Sequence, residues 1–352
     1  MNSNQSAAAR KKPAPTGVAL AQVDLTWARR LMLSPALALS VVIVVFVLFG
    51  ATQTPMFLNG QTWINILRDA AFLAMAASFA TIVLVSGGLD LSVGSVLVAG
   101  AMTAAAIADA GFSPFTAFLA GTLVGATVGF INGMLINQFL IPPIIVTLGA
   151  LFAVRAVVVA STGASPIGPL PDEFDVLGQA SFMGIPLPII VAIVVVGIAH
   201  FLLNSTNYGW SVRAIGGNRE AARSAGIAVK QLSVSVYVLS GASAAFTGAL
   251  IASRLGSGSP TLGQGFELQV IAAAIIGGTS ISGSIGTVVG AALGALLLSV
   301  LSNGLVLLRF DPTLQNFIIG LVLVAAAGLD IFRRQQMFRI SARRAASSVR
   351  TG

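Results

Sequence analysis

Apolar residues along this chain come in long runs broken by short polar segments. Counting runs of roughly 17–25 apolar residues, the length that crosses a hydrocarbon core, predicts ten spans. They fall at 31–51, 64–86, 93–109, 114–137, 143–161, 186–203, 231–253, 267–279, 284–308 and 315–331. The run at 267–279 is short and leads into Gly277 and Gly278. That predicts a short or broken helix meeting irregular backbone, which a bilayer tolerates only where protein neighbours satisfy the freed groups. The first run is too long for the apolar region of a signal peptide, and no small-residue cleavage site follows it, so it is expected to persist as the first span. The expected fold is an all-α polytopic membrane protein. Residues 1–30 read as a basic, disordered arm, 31–331 as the membrane domain with a polar loop at 204–230, and 332–352 as a basic tail.

Composition supports lipid exposure. Of 352 residues, 56% are hydrophobic and 9% charged, against about a quarter charged in a soluble domain. There is not enough polar side-chain area to coat a water-facing globule of this size. The chain has no cysteine, hence no disulfide, thiolate metal site or cysteine nucleophile. Its single histidine, His200, lies five residues from Ser205 with no orienting carboxylate near in sequence, so it reads as an interfacial residue and not as part of a hydrolase. The three lysines, Lys11, Lys12 and Lys230, do not stand in a phosphate-cradling G-x-x-x-x-G-K-[ST] pattern. No catalytic residue, metal or cofactor is expected in this chain.

Charge then orients the spans. The formal charge is +8. Of 19 Lys and Arg, five precede the first span, four lie in the 204–230 loop and six follow the last span. An even number of spans puts all of these on one side, the cytoplasmic side by the positive-inside rule, with both termini there. Arg68, Arg155, Arg254 and Arg309 remain at or near the outer ends, and the acids Asp172, Glu173 and Asp175 fall in the outer 162–185 loop. Trp27, Trp63, Tyr208 and Trp210 sit at span ends, where amphipathic rings prefer to lie. Basic residues placed this way describe topology, and nucleic acid is not an expected partner.

Within the 204–230 loop, Asn218 suits an N-cap, Glu220 the first turn, Arg223 the last and Gly226 the left-handed position after a helix. They predict a two-turn helix at 219–225 outside the membrane. Ala221, Ala222 and Ala225 keep it slim enough for another protein to grip, with Arg219, Glu220 and Arg223 as charged rim; a plain solvated connector is the competing reading. Asp90 is the sharpest candidate inside the membrane, because a carboxylate there is costly and usually faces protein or water. With Ser92 and Ser95 it either shapes a solute pathway or caps the helix beginning at 93, near the cytoplasmic side. Glu267 either serves a pathway or favours a helix N-terminus through the dipole. Asn132, Asn137 and Asn303 offer amides to a solute or to neighbouring helices. Arg68, Arg254 and Arg309 are candidates for docking a partner's carboxylates, although Arg68 has Asp69 beside it. Arg155, inside an apolar span, is expected to face the interior or reach the outer surface. Glycines at four-residue spacing, Gly121, Gly125 and Gly129, then Gly286, Gly290 and Gly294, predict close helix packing. Gly87-Gly-Leu-Asp-Leu-Ser92 is weakly echoed by Gly277-Gly-Thr-Ser-Ile-Ser282, as a repeat or by chance.

The run Ser86-Gly-Gly-Leu-Asp-Leu-Ser-Val-Gly-Ser95 resembles the signature of permease subunits of ribose-type ABC sugar importers. So do Ala214-Ile-Gly-Gly-Asn-Arg-Glu-Ala-Ala-Arg-Ser-Ala-Gly226, Gly265-Phe-Glu-Leu268, Ile275-Ile-Gly-Gly-Thr-Ser280 and Ser302-Asn-Gly-Leu305. These five segments occur in family order across about 50–331; the basic arms lie outside the resemblance. The resemblance implies an importer permease for a monosaccharide or similar polyol-like solute, working by alternating access in a bacterial inner membrane. It implies a homodimer with one central pathway, a separate cytoplasmic ATPase that binds the ATP, and an extracytoplasmic sugar-binding protein. The 218–226 helix then corresponds to the coupling helix, and Thr279 joins Asp90, Ser92, Ser95, Asn132, Glu267 and Asn303 as a pathway candidate. Competing readings are a permease for branched-chain amino acids or nucleosides, and an ion-coupled secondary carrier.

Overall fold

The computed structural model of the chain describes residues 35–311 and, beyond them, 314, 317, 318, 320, 321 and 324. The arms at 1–30 and 332–352 and most of the tenth span at 315–331 lie outside the described residues. Twelve α-helices follow one another among the described residues: α1 (Pro35–Gln53), α2 (Gly60–Val85), α3 (Val93–Asp109), α4 (Pro114–Gln138), α5 (Pro143–Thr162), α6 (Asp172–Gln179), α7 (Leu187–Ser205), α8 (Asn207–Gly217), α9 (Arg219–Ser224), α10 (Val229–Leu255), α11 (Phe266–Ile276) and α12 (Val288–Leu307). Between α6 and α7 a short antiparallel hairpin pairs β1 (Ser181–Phe182) with β2 (Ile185–Pro186). Six helices, α2, α4, α5, α7, α10 and α12, are long and apolar enough to cross a membrane; Leu39–Gln53 of α1, α3 and α11 are shorter apolar helices. The chain is a multi-pass membrane protein.

Local sequence explains where the helices begin. Asn59 accepts a hydrogen bond from the Gln61 N–H at 2.8 Å, Ser113 from Thr116 at 3.3 Å, and Thr287 from Gly290 at 3.1 Å, each satisfying a donor that the first helical turn leaves over. Pro114 occupies the first turn of α4, where its missing N–H costs nothing. The 162–185 segment, expected as a loop, holds α6 and the hairpin, and the 204–230 loop holds α8 as well as α9.

Helices α2 and α10 form the centre, packed against α3, α4, α11 and α12, while much of α5 and α7 is left facing outward. The spaced glycines act as predicted. A methyl on Gly121 would meet the Gly100 carbonyl oxygen at 2.7 Å, Gly125 lies directly against Gly241 of α10, and Gly129 against the Tyr237 carbonyl. Gly290 and Gly294 bring α12 onto Gly277 and onto Ala273 of α11.

Two helices begin inside the bundle. After α2 the chain turns at Gly87 (φ +80°) and climbs along α10 as irregular backbone, so that Leu89 lies beside Tyr237 and Asp90 beside Ser240 before α3 starts. Asp90 therefore lies beside the middle of α10. On the other side the segment after α10 descends along α3. Gly258 lies against Ala105, Gly263 against Leu97 and the Gly94 carbonyl, and α11 then begins at Phe266. With 11 residues α11 extends about 16 Å, half a hydrocarbon core.

Candidate translocation and coupling sites

Asp90 is buried and its carboxylate is fully engaged. Oδ1 accepts the Ser92 N–H at 3.0 Å and the Ser92 hydroxyl at 2.6 Å; Oδ2 accepts the Ser240 hydroxyl at 2.8 Å. The Asn132 amide donates to Ser92 Oγ at 3.0 Å, and Ser95 Oγ donates to the Ser92 carbonyl at 2.9 Å. Leu89's carbonyl accepts from Tyr237 and Thr147 at 3.5 and 3.4 Å. Four of the predicted residues, Asp90, Ser92, Ser95 and Asn132, thus form one network that satisfies irregular backbone among α3, α4, α5 and α10. The helix itself is capped by Ser92, without a side-chain cap bond. Asp90 bonds two residues earlier, to Ser92's own N–H, so it acts as the anchor of the turn ahead of the helix.

Glu267 stands opposite. It is in the first turn of α11, and its Oε2 lies against Gly94 at the start of α3, buried and without a hydrogen-bond partner. Arg155 of α5 faces the interior, where its Nη2 donates to the Gly263 carbonyl at 3.3 Å and its Nη1 is buried without a partner. A side chain at Gly94 would collide with Glu267 and would stand 2.8 Å from that same Gly263 carbonyl.

Asn303 belongs to a different place. Its amide donates to Asp69 Oδ2 at 3.2 Å and to the Ser299 carbonyl at 3.0 Å, and Asp69 Oδ1 is ion-paired with Arg254 at 2.6 Å. Arg254 also lies over the Phe72 ring, 5.5 Å from its centroid. Asp69's partner is therefore Arg254 and not its neighbour Arg68, whose Nε is buried without a partner. Arg309 is exposed just past α12, with φ +59°. Thr279 is buried against Gly286 in the turn between α11 and α12, apart from both sites. His200 bonds Asn204 at 3.0 Å.

The 204–230 segment is built at the end where α2 finishes. Asn218 Oδ1 accepts the Ala221 N–H at 2.9 Å and so caps α9. At the other end Gly226 (φ +86°) donates to the Arg223 carbonyl at 3.0 Å and Ile227 to Ala222 at 3.1 Å, the paired bonds of a left-handed helix stop. Arg219, Glu220, Ala221, Arg223 and Gly226 are exposed. Ala222 is buried among Ile215 and Val229, so it seats the helix on the protein and does not belong to the outward face. Arg219 donates to Asn137 at the end of α4. Beside α9 an open groove of about 520 Å³ is lined by Ser211, Gly226, Ile227, Gln231 and Ser235. Burial pulls Arg213 of α8 below the ordinary guanidinium range. Its Nη1 donates to the Ser284 and Gly286 carbonyls at 3.4 and 3.2 Å, and its Nη2 to Asn204 at 2.7 Å. Gly216 of α8 lies directly on the Val85 carbonyl, which accepts the Ser284 N–H at 2.8 Å.

Residues 62–327 match the family described as branched-chain amino acid transport system / permease component. The chain is 36% identical over 300 residues to the ribose import permease protein of Bacillus subtilis, covering 85% of this chain and 92% of that protein. It is 34% identical over 290 residues to the D-allose transport system permease protein of Escherichia coli, covering 82% and 88%. Identity to the L-arabinose ABC transporter permease protein of Azospirillum brasilense is 34% over 298 residues, covering 84% and 88%. The chain belongs to the ribose-type ABC importer permeases. No solved structure matches it.

Reading this permease from sequence alone passed over two residues that organise it. Arg213 was counted only as a loop charge, and Asp69 only as a neighbour of Arg68. Their partners, Ser284 and Gly286 in one case and Arg254 and Asn303 in the other, lie far along the chain. A signal was present for Asp69: a carboxylate inside an apolar run needs a partner, and Arg254 is at the matching end of its own run.

Proposed function

We propose that this permease carries a monosaccharide or similar polyol-like solute across the bacterial inner membrane. Two copies form the membrane unit, each with ten spans and both termini in the cytoplasm, between a 1–30 arm and a 332–352 tail. A separate ATPase binds the ATP, and an extracytoplasmic binding protein delivers the solute. The chain itself performs no bond chemistry. The observation that carries the substrate class is the naming of its relatives for ribose, allose and arabinose at 34–36% identity. The family description favours branched-chain amino acids as the second reading. Import by the reconstituted complex of D-ribose, L-arabinose or D-allose, and not of leucine, is the expected result; import of leucine alone would reverse it.

In this reading α9 is the coupling helix. Asn218 and Gly226 hold its ends, Arg219, Glu220 and Arg223 meet the ATPase, Ala221 lets it approach, and Ala222 anchors it. The force passes through α8, whose Arg213 and Gly216 clasp the 284–286 turn and the end of α2, next to the segments that lead to α3 and α11. The start of α11, with Glu267, moves as access alternates against the start of α3, which Asp90, Ser92, Ser95 and Asn132 hold, and Thr279, packed against Gly286, links the clasped turn to the end of α11. Arg68 and Arg309 are the candidates for docking the binding protein, whereas the charge of Arg254 is already met by Asp69. Replacing Glu220 and Arg223 together with alanine should abolish ATP-dependent uptake and leave the purified permease folded. Unchanged uptake in that variant would remove the coupling assignment.

A further inference from the structure

Helix α11 is gripped at one end and free at the other. Toward its C-terminus it lies hard against α12: a side chain at Gly294 would collide with Ala273, and one at Gly277 with the Gly290 backbone. The two helices run antiparallel along this seam. Nearer the start of α11 the seam opens into a cavity of about 330 Å³, with Phe266 and Gln269 of α11 on one side and Leu298 and Ser302 of α12 on the other. The two helices therefore form a wedge, closed at Gly277–Gly290 and open at Phe266–Ser302. It lies at the end of the bundle opposite α9. Asp69, which also lines it, stands sixteen residues ahead of Val85 on α2, about 24 Å along that helix from the contact with α8.

The other flank of α11 has no such room. Glu267 is about 200° around the helix from Gln269, at 3.6 residues per turn, and its Oε2 lies against Gly94 of α3, where any side chain would collide. Protein interiors otherwise hold few voids larger than a water molecule, so a gap of this size beside one half of a helix is room to travel. Spread over the first six residues, about 9 Å, and a helix width of about 10 Å, it admits a sideways move of about 4 Å. Gly265 (φ +74°) precedes the helix and Gly278 (φ +90°) follows it, so both connections bend without steric cost. Neither Gln269 nor Ser302 makes a side-chain hydrogen bond to any described residue; closing the wedge brings this amide and this hydroxyl together. We infer that the wedge is the stroke space of an outer gate. In one access state it stands open, as here; in the other the first half of α11 has swung away from α3 and closed it, with Gln269 against Ser302. Solute crosses at the centre of the two copies and does not enter the wedge. The inference rests on the importer reading above, in which the start of α11 moves, and names the direction and extent of that move.

The chain contains no cysteine, so an introduced pair reports without background. Gln269→Cys and Ser302→Cys together are assembled into the full importer complex, and disulfide formation is followed without nucleotide and with ATP plus vanadate. A disulfide needs Cα atoms about 4.4–6.8 Å apart, which the closed wedge favours. The rates should differ at least threefold between the two conditions. The cross-linked complex should lose more than tenfold of its ATP-dependent uptake of D-ribose, L-arabinose or D-allose and regain it on reduction. If the pair does not assemble, Ser302→Phe fills the wedge from α12: uptake should fall more than tenfold at an unchanged melting temperature, while Ser302→Ala keeps uptake within twofold. Equal cross-linking in both conditions (none included), or undiminished uptake by the cross-linked or Ser302→Phe complex, would overturn the wedge and leave the importer reading standing. A wild-type complex that imports none of the three sugars, nor leucine, would remove the importer reading and the wedge's role with it.

Discussion

Two carboxylates stand at the two helix starts inside this bundle, and only one of them is satisfied. Asp90, ahead of α3, accepts three hydrogen bonds, from Ser92 twice and from Ser240. Glu267, in the first turn of α11, has a buried oxygen with no partner, and Arg155 of α5 has a buried nitrogen in the same condition. A buried carboxylate with its acceptors filled holds its surroundings in one arrangement, whereas an unfilled one costs energy in the present arrangement and gains when the surroundings change. In the proposed cycle the start of α3 is the fixed point and the start of α11 the part that moves.

The largest expected effect follows from emptying the fixed point. Asp90→Ala leaves one N–H and two hydroxyls without their acceptor, each costing about 1–3 kcal/mol. Loss on the order of 3–5 kcal/mol, seen as failure of the permease to accumulate or as a collapsed melting temperature in detergent, is expected. Gly94→Ala tests the link between the two starts. Its methyl would press on the Gly263 carbonyl at 2.8 Å and displace Glu267, costing about 2–3 kcal/mol by overpacking, and uptake should fall with stability. Ser240→Ala removes one donor from Asp90 and should cost about 1.5 kcal/mol, since a hydrogen bond to a charged group is lost. Glu267→Gln loses no hydrogen bond of Oε2, so its melting temperature should match wild type within about 0.5 kcal/mol of stability, while uptake drops severalfold. A Glu267→Gln protein as unstable as Asp90→Ala would erase the distinction between the two carboxylates. If instead Asp90→Ala proved as stable as wild type, the fixed point would be the part to abandon.

Much of the site was legible before any fold was known, though unevenly. The caps of α9 were readable because Asn218 and Gly226 act within a turn of their own positions. The glycine faces were readable because four-residue spacing lies along one side of a helix. The 267–279 run was correctly short. The tertiary structure changed the meaning of other residues. Arg254, read as a docking charge, is half of an ion pair with a residue 185 positions away. Asn303, grouped with Asp90 from the sequence, bonds Asp69 instead of joining the Asp90 network, and Ala222, counted in the grip surface, is buried.

What the sequence determined by itself is therefore the membrane class, the apolar runs, the short helix at 219–224, and the family. Each of these is written in composition, in spacing or in groups a few residues apart. The tertiary structure alone decided which polar groups meet. That depends on how each helix is rotated about its axis and on how far the 86–92 and 256–265 segments fold back into the bundle. Apolar runs leave rotation open, because lipid and protein interior accept the same side chains. Partner choice for Asp69, Asp90, Arg155 and Arg213 was settled instead by the need of buried charges to find donors or acceptors once the glycine faces had drawn the helices together.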